Sequence, residues 1–268
     1  MKNQPDGERF LTYADYLALE DLLQLQQPRS TPPEHDEMLF IVIHQTYELW
    51  FKLLLHELEK VKRDFTSNDL YGAIHTWMRS RTIMKTLVGQ LDILETMTPM
   101  SFASFRDRLE TASGFQSYQF RELEFSLGYK RKAMLEFHPE GSPGRAALEK
   151  RLPERSVMDH FYDFLAHHGV EVPESLKKRD KTLGTEPNVQ IMDALYDLYR
   201  HKPDVAILLE LMTDFDEGFQ EWRYRHVMVV ARTIGEKKGT GGSLGVDFLK
   251  KSLFKPAFPD LWAIRHRL

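Results

Sequence analysis

An all-α fold built from a bundle of long helices is what this 268-residue sequence predicts, on three observations. Apolar residues recur at alternating spacings of three and four over long stretches, the period of a helix with one buried face. The few β-branched or apolar runs, at 41–43 and 227–230, lie inside those longer patterns and do not form isolated strands. A chain with 42% hydrophobic and 28% charged residues is an ordinary globular one, and at this length it closes a core without cross-links. One domain spanning 1–268 is the expected organisation.

The elements follow in order. Thr12 is a plausible N-cap, with Asp15 in the first turn, for a helix over about 13–25, and Pro28, Pro32 and Pro33 end it. A long helix over about 35–65 carries the stripe Phe40, His44, Tyr47, Phe51, Leu54, Leu58 and Val61, in which one position is histidine. Asn68 is the candidate cap of a third helix, about 69–97, with Leu70, Ile74, Trp77, Met84, Leu87, Leu91 and Leu94 on its inner face and Gly72 and Gly89 as weakening residues. Thr98 and Pro99 open a helix through Leu109; Ser113 and Gly114 break the pattern before another at about 116–127. The stretch 129–183, rich in Pro and Gly, is expected as an insertion of small helices outside the main bundle, and its basic run at 177–181 as a solvated surface. A last long helix, about 203–233, aligns Val205, Leu208, Met212, Phe215, Phe219, Trp222, His226 and Val229. Again one place on an apolar stripe is histidine. Gly235 ends that helix, a glycine-rich loop covers 239–245, and an amphipathic stretch covers 246–254.

Composition narrows the chemistry. With no cysteine, thiolate nucleophiles, zinc–thiolate sites, iron–sulfur clusters and Cys-attached haem are all excluded, so a metal must be held by histidine or carboxylate. A net charge of −4 with scattered Lys and Arg leaves no footprint for nucleic acid. No apolar run approaches the ~20 residues of a membrane span, and residues 1–9 are polar, so a cytoplasmic protein without membrane partners is expected.

Two inward histidines on two long helices form the most informative pattern. A neutral imidazole ligates iron through one nitrogen while the other is held by a hydrogen bond; either His taken alone reads first as a satisfied core residue, and it is their matched placement beside aromatics that brings in the ligand reading. There is no Glu-x-x-His pair for a di-iron bundle and no His-Glu-x-x-His for a zinc peptidase. Phe102 and Arg106 share a helix face, which suits a ligand with an aromatic ring and a carboxylate, or else an ordinary Arg–Asp surface pair. The glycine-rich loop reads either as a connector or as a lid whose Thr240 hydroxyl and backbone amides close on a polar ligand.

The run His35-Asp36-Glu37-Met38-Leu39-Phe40-Ile41 and the following His44-Gln45-Thr46-Tyr47-Glu48-Leu49-Trp50-Phe51-Lys52 closely resemble the tryptophan 2,3-dioxygenase family. So do Ser113-Gly114-Phe115-Gln116-Ser117, Trp222-Arg223-Tyr224-Arg225-His226 and Gly239-Thr240-Gly241-Gly242-Ser243, in the family's order. The resemblance implies an enzyme with one haem b per subunit that opens the indole ring of L-tryptophan with O₂ to give N-formylkynurenine, the first step of the kynurenine route. It implies His226 as the proximal iron ligand, with Ser113 and Gly114 close to the haem, and His44 as the distal histidine near the indole nitrogen. Phe40, Phe51 and Phe102 would line the substrate pocket, Arg106 would clamp the carboxylate, and Thr240 would meet the ammonium and carboxylate end. Tyr13, Tyr16 and Leu17 match positions that reach into a neighbouring subunit's pocket in a homotetramer; packing back on their own core is the alternative that composition leaves open.

Three positions depart from the family pattern: Phe102 where many bacterial relatives have a tyrosine, Leu244 where a second serine is usual, and Ile43 where a polar residue is frequent. They leave open a haem oxygenase of specialised metabolism acting on a modified tryptophan. A non-catalytic haem-binding protein is a further alternative, against which the retained Arg106 and Thr240 argue.

Overall fold

Helix follows helix in the computed structural model, which describes residues 10–235, 237 and 245–268, and no strand forms among the described residues. The expected N-terminal helix is two short ones, α1 (Tyr13–Leu17) and α2 (Leu19–Leu22), parted at Ala18 with φ 49°. Thr12 caps α1 by accepting from the Asp15 amide at 3.1 Å, and the Asp15 carboxylate reaches back to the Thr12 amide. Neither helix buries a residue, so no tertiary packing offsets the nucleation cost of a longer one.

The helix α3 (His35–Thr66) keeps its predicted length. Tyr47, Phe51, Leu54, Leu58 and Val61 of the stripe are buried, whereas Phe40 and His44, near its start, are half-buried. An 18-residue window of α3 reaches the hydropathy of a membrane span, more than its interrupted apolar run suggests. Its inner face enters the core against α4 (Leu70–Leu94), while Met38, Val42 and Leu49 face outward, exposed.

Asp69, not Asn68, caps α4; Asn68 itself turns the chain at φ 58°. The Asp69 carboxylate accepts from the Gly72 amide at 2.9 Å, and a Cβ at Gly72 would stand 2.3 Å from that carboxylate. The glycine that weakens the helix is the one that makes room for its cap. Next, α5 (Pro99–Phe105) starts at Thr98, which accepts from the Ser101 amide, and runs on as a 3₁₀ turn, Arg106–Leu109. After the break at Ser113 and Gly114 comes α6 (Tyr118–Leu127), closed by Gly128 at φ 113°.

The stretch 129–183 holds α7 (Pro143–Arg151), α8 (Val157–His167) and α9 (Glu174–Lys177). It is not wholly outside the bundle. While α7 packs on a small second core of Phe125, Met134, Leu135, Leu148 and Leu152, α8 lies against α3 and belongs to the main core. Its Phe161 and Phe164 stand 5.6 and 5.4 Å from Phe65, ring to ring, because a short but strongly one-sided apolar stripe buries as well as a long one. The basic run is likewise more than a solvated surface. Arg179 and Lys181 each donate to buried Asp159 at 2.8 Å, tying the run to the first turn of α8.

An element beyond the expected set, α10 (Val189–His201), is capped by Asn188 and buries Ile191, Leu195 and Leu198. The second long helix, α11 (Pro203–Ile234), packs along α4 and ends at Gly235, φ 60°. The chain finishes with α12 (Val246–Lys250) and α13 (Pro259–Ala263). Two buried carboxylates hold this end down. Asp216 of α11 accepts from the Ala257 and Phe258 amides, both at 3.0 Å, and from the Trp262 indole at 2.9 Å; Asp260 accepts from the Asn188 amide and the Tyr162 hydroxyl.

Candidate active site

A cavity of about 510 Å³ opens among α3, α4, α5, α6 and α11. It gathers Phe40, His44, Phe51, Phe102, Arg106, Ser113, Gly114 and His226, eight of the residues expected from sequence. Thr240 lies outside the described residues, as do Leu244 and the rest of the loop at 239–244. Tyr13, Tyr16 and Leu17 do not line the cavity of their own chain; Tyr13 is 76% and Tyr16 74% exposed.

His44 is oriented by its own helix. Its Nδ1 lies 2.6 Å from the Phe40 carbonyl, and a carbonyl only accepts, so Nδ1 carries the proton. In the neutral ring Nε2 is therefore a bare acceptor. Burial holds the imidazole's proton affinity below its ordinary value, against the opposing pull of the Phe40 hydrogen bond and the Glu48 charge. The Phe40 ring lies 4.1 Å from the His44 ring and joins Phe102 and Phe105 in an aromatic cluster with centroids 5.4–5.7 Å apart.

His226 stacks flat on Trp222, one turn earlier on α11, with rings 5.0 Å apart and 6° from parallel. Burial, with the charges of His44 and Arg121, lowers its pKa to about 4. The ring is therefore neutral throughout the physiological range, the state in which an imidazole nitrogen can donate to a metal. Trp222 is itself wedged by Phe120 at 4.8 Å and meets Phe51 edge-on at 6.1 Å, so the ring behind His226 has little freedom.

Beneath these walls sits a buried charge cluster that sequence reading missed. Glu124 receives Arg121 at 2.6 Å, Arg131 at 2.7 Å and Arg223 at 3.0 Å, and their charges overcome burial to lower its pKa to about 2. Arg223 also donates to the Lys255 carbonyl, linking the floor to the C-terminal segment. Three guanidiniums face one carboxylate, so the cluster keeps a positive excess. The Arg121–Glu124 spacing hints at a helical ion pair, but nothing local in sequence points to Arg223 as the third partner. Leu91, Leu94 and Met97 complete the apolar lining from the end of α4 and the turn that follows.

The donor set suits haem. Among the described residues no three His, Asp or Glu side chains gather to cage a bare ion, so iron held here by one imidazole needs a macrocycle for its remaining bonds. A neutral His226, apolar and aromatic walls, and a positive excess toward which an anionic cofactor edge is drawn meet that need.

The tryptophan 2,3-dioxygenase family model matches residues 2–142 and 176–268 of this chain. The tryptophan 2,3-dioxygenase of Herpetosiphon aurantiacus is 52% identical over 255 residues, covering 95% of this chain and 97% of the relative. Its counterpart in Anaeromyxobacter sp. strain K is 48% identical, with 96% of each chain covered. That of Serratia proteamaculans is 40% identical over 97% of this chain and 94% of its own length. The stretch 143–175, outside the family match, contains α7 and α8.

Proposed function

This chain belongs to the tryptophan 2,3-dioxygenase family, and we propose that it opens the indole ring of L-tryptophan with O₂ to give N-formylkynurenine, as the entry step of the kynurenine route in the cytoplasm. The observation that carries the reading is one cavity lined by two oriented imidazoles, from α3 and α11, and by Arg106.

His226 would hold one haem b per subunit, which when bound would supply the electronic route by which ground-state O₂ reacts with a closed-shell indole. The remaining work is done by the chain. Trp222 fixes the plane of the His226 ring by stacking, and Ser113 and Gly114 offer a wall without bulk, Gly114 having no heavy atom within 4 Å of the place its Cβ would take. Arg106 binds the substrate carboxylate, a charge-assisted contact that sets the amino-acid end of the ligand. His44, with Nδ1 tied to Phe40, presents Nε2 to accept from the indole N–H. Phe40, Phe51 and Phe102 sandwich the ring and exclude water; Phe102 contributes its face and no hydroxyl, so the carboxylate relies on Arg106 and, in this reading, on Thr240. Holding the indole in one orientation for its reaction with O₂ would contribute several kcal/mol, about the range of well-oriented reactants.

The assembly is a homotetramer in which the N-terminal helices complete a neighbour's site. The connector supports this reading. Gln45 donates to the Leu25 carbonyl at 3.0 Å and accepts from Gln26 at 2.6 Å, and Glu37 accepts from the Arg29 and Ser30 amides. The connector is thus fastened along its own α3, while α1 and α2 bury nothing and α1 projects Tyr13, Tyr16 and Leu17 outward. The outward α3 stripe of Met38, Val42 and Leu49 offers further apolar surface beside it.

The test is to mix reduced, haem-loaded protein with L-tryptophan in air and weigh the product. Gain of both atoms of O₂ supports the reading. Gain of one atom points to an oxygenase of another kind, and no product with an intact haem spectrum points to a carrier.

A further inference from the structure

Glu48 stands one helical turn after His44 on α3, and side chains at that spacing have Cβ atoms roughly 5–6 Å apart. Both line the cavity. The Glu48 carboxylate is held in place: the Gln119 amide donates to it at 2.8 Å and to the Glu48 backbone carbonyl at 3.0 Å. Gln119 lies in the first turn of α6, so this latch joins two walls of the site.

Charged groups face the cavity from three of the elements packed around α3, while α4 lines it only with apolar residues. Arg106 follows α5, Arg121 and Glu124 lie on α6, and Arg223 and His226 lie on α11. Glu124 is engaged by three guanidiniums and His226 is neutral, which leaves Glu48 as the carboxylate whose field reaches His44 from its own helix. That field opposes burial, drawing the imidazole toward its protonated form.

We propose that Glu48 is a positioning residue for His44: its carboxylate, fixed by Gln119, stabilises the positive charge that builds on the imidazole as Nε2 accepts from the indole N–H. The inference rests on the tryptophan reading above. It has two opposed consequences. Glu48 strengthens the hydrogen bond as electron density leaves the indole, and it also raises the pH at which His44 protonates and ceases to accept. Removing its charge should therefore slow turnover while letting tryptophan binding persist to lower pH. A merely structural role would weaken both.

The experiment uses the full-length, haem-loaded oligomer. Tryptophan affinity is measured by calorimetry without O₂ from about pH 8 to about pH 5, and kcat is measured in air at neutral pH. Glu48→Gln, which keeps the size of the side chain, should lower kcat roughly tenfold and move the acid midpoint of binding to lower pH. In a His44→Ala background the same substitution should change kcat less than about twofold and move no midpoint. Gln119→Leu, which frees the carboxylate, should fall between wild type and Glu48→Gln in both measurements, and serves where the Glu48 variant folds poorly. An unchanged pH midpoint in Glu48→Gln, or an equal loss in both backgrounds, overturns the proposal and leaves the dioxygenase reading standing. Failure of the wild type to bind tryptophan overturns both.

Discussion

Glu124→Gln removes one negative charge from the centre of three guanidiniums and leaves the side chain's volume nearly unchanged. Two of its partners, Arg121 and Arg223, are buried, so their charges lose their counterion where water cannot replace it. The carboxyl's pKa falls from its ordinary 4.5 to about 2 in the folded protein, and each unit is about 1.4 kcal/mol, so ionised Glu124 contributes about 3 kcal/mol at neutral pH. Breaking a buried ion pair by removing one partner costs a similar amount, about 3–5 kcal/mol. Because the folded pKa is depressed, the contribution is complete above pH 4.5 and is lost as pH falls toward 2. Thermal unfolding of the haem-free protein at neutral pH should show a midpoint roughly 6–12 °C lower in the variant. The difference between the two proteins should shrink as the solution is acidified through that window. A variant as stable as wild type at neutral pH, or a difference that does not depend on pH, would refute the view that these four residues form one electrostatic unit.

His226→Ala should bind haem weakly or in an altered coordination state; an unchanged ferrous spectrum rules His226 out as the ligand. Arg106→Leu loses a charge-assisted bond to an ionised ligand, on the order of 1.5–3 kcal/mol, and should weaken tryptophan at least about tenfold while leaving a carboxylate-free indole nearly unaffected. Equal loss for both ligands would remove Arg106 from the clamp. Deleting residues 1–25 should reduce both assembly and tryptophan affinity with the haem still ligated, as read by light scattering and substrate titration, and a truncated tetramer with unchanged affinity would show that the N-terminal helices serve neither role.

The long helices and the inward turn of both histidines were legible in the sequence alone, because a helix brings residues three and four apart onto one face and the apolar stripes on α3 and α11 each include one imidazole. Phe102 beside Arg106 was legible for the same local reason, and the breaks at Ser113-Gly114 and Gly235 were legible because glycine ends a helix cheaply. Tertiary structure alone decided which faces meet. Arg223 reaches Glu124 across 99 positions of sequence, Asp216 takes the Ala257 amide across 41, and Arg179 finds Asp159 across 20. It also placed α8 in the core and left the N-terminal helices, parted at Ala18, without a buried residue, since whether a short helix packs or projects depends on the surface it encounters. Periodicity records the direction a side chain takes from its own helix. A buried charge needs a partner supplied by another segment, and the desolvation that makes this pairing necessary arises only once the helices have closed around it.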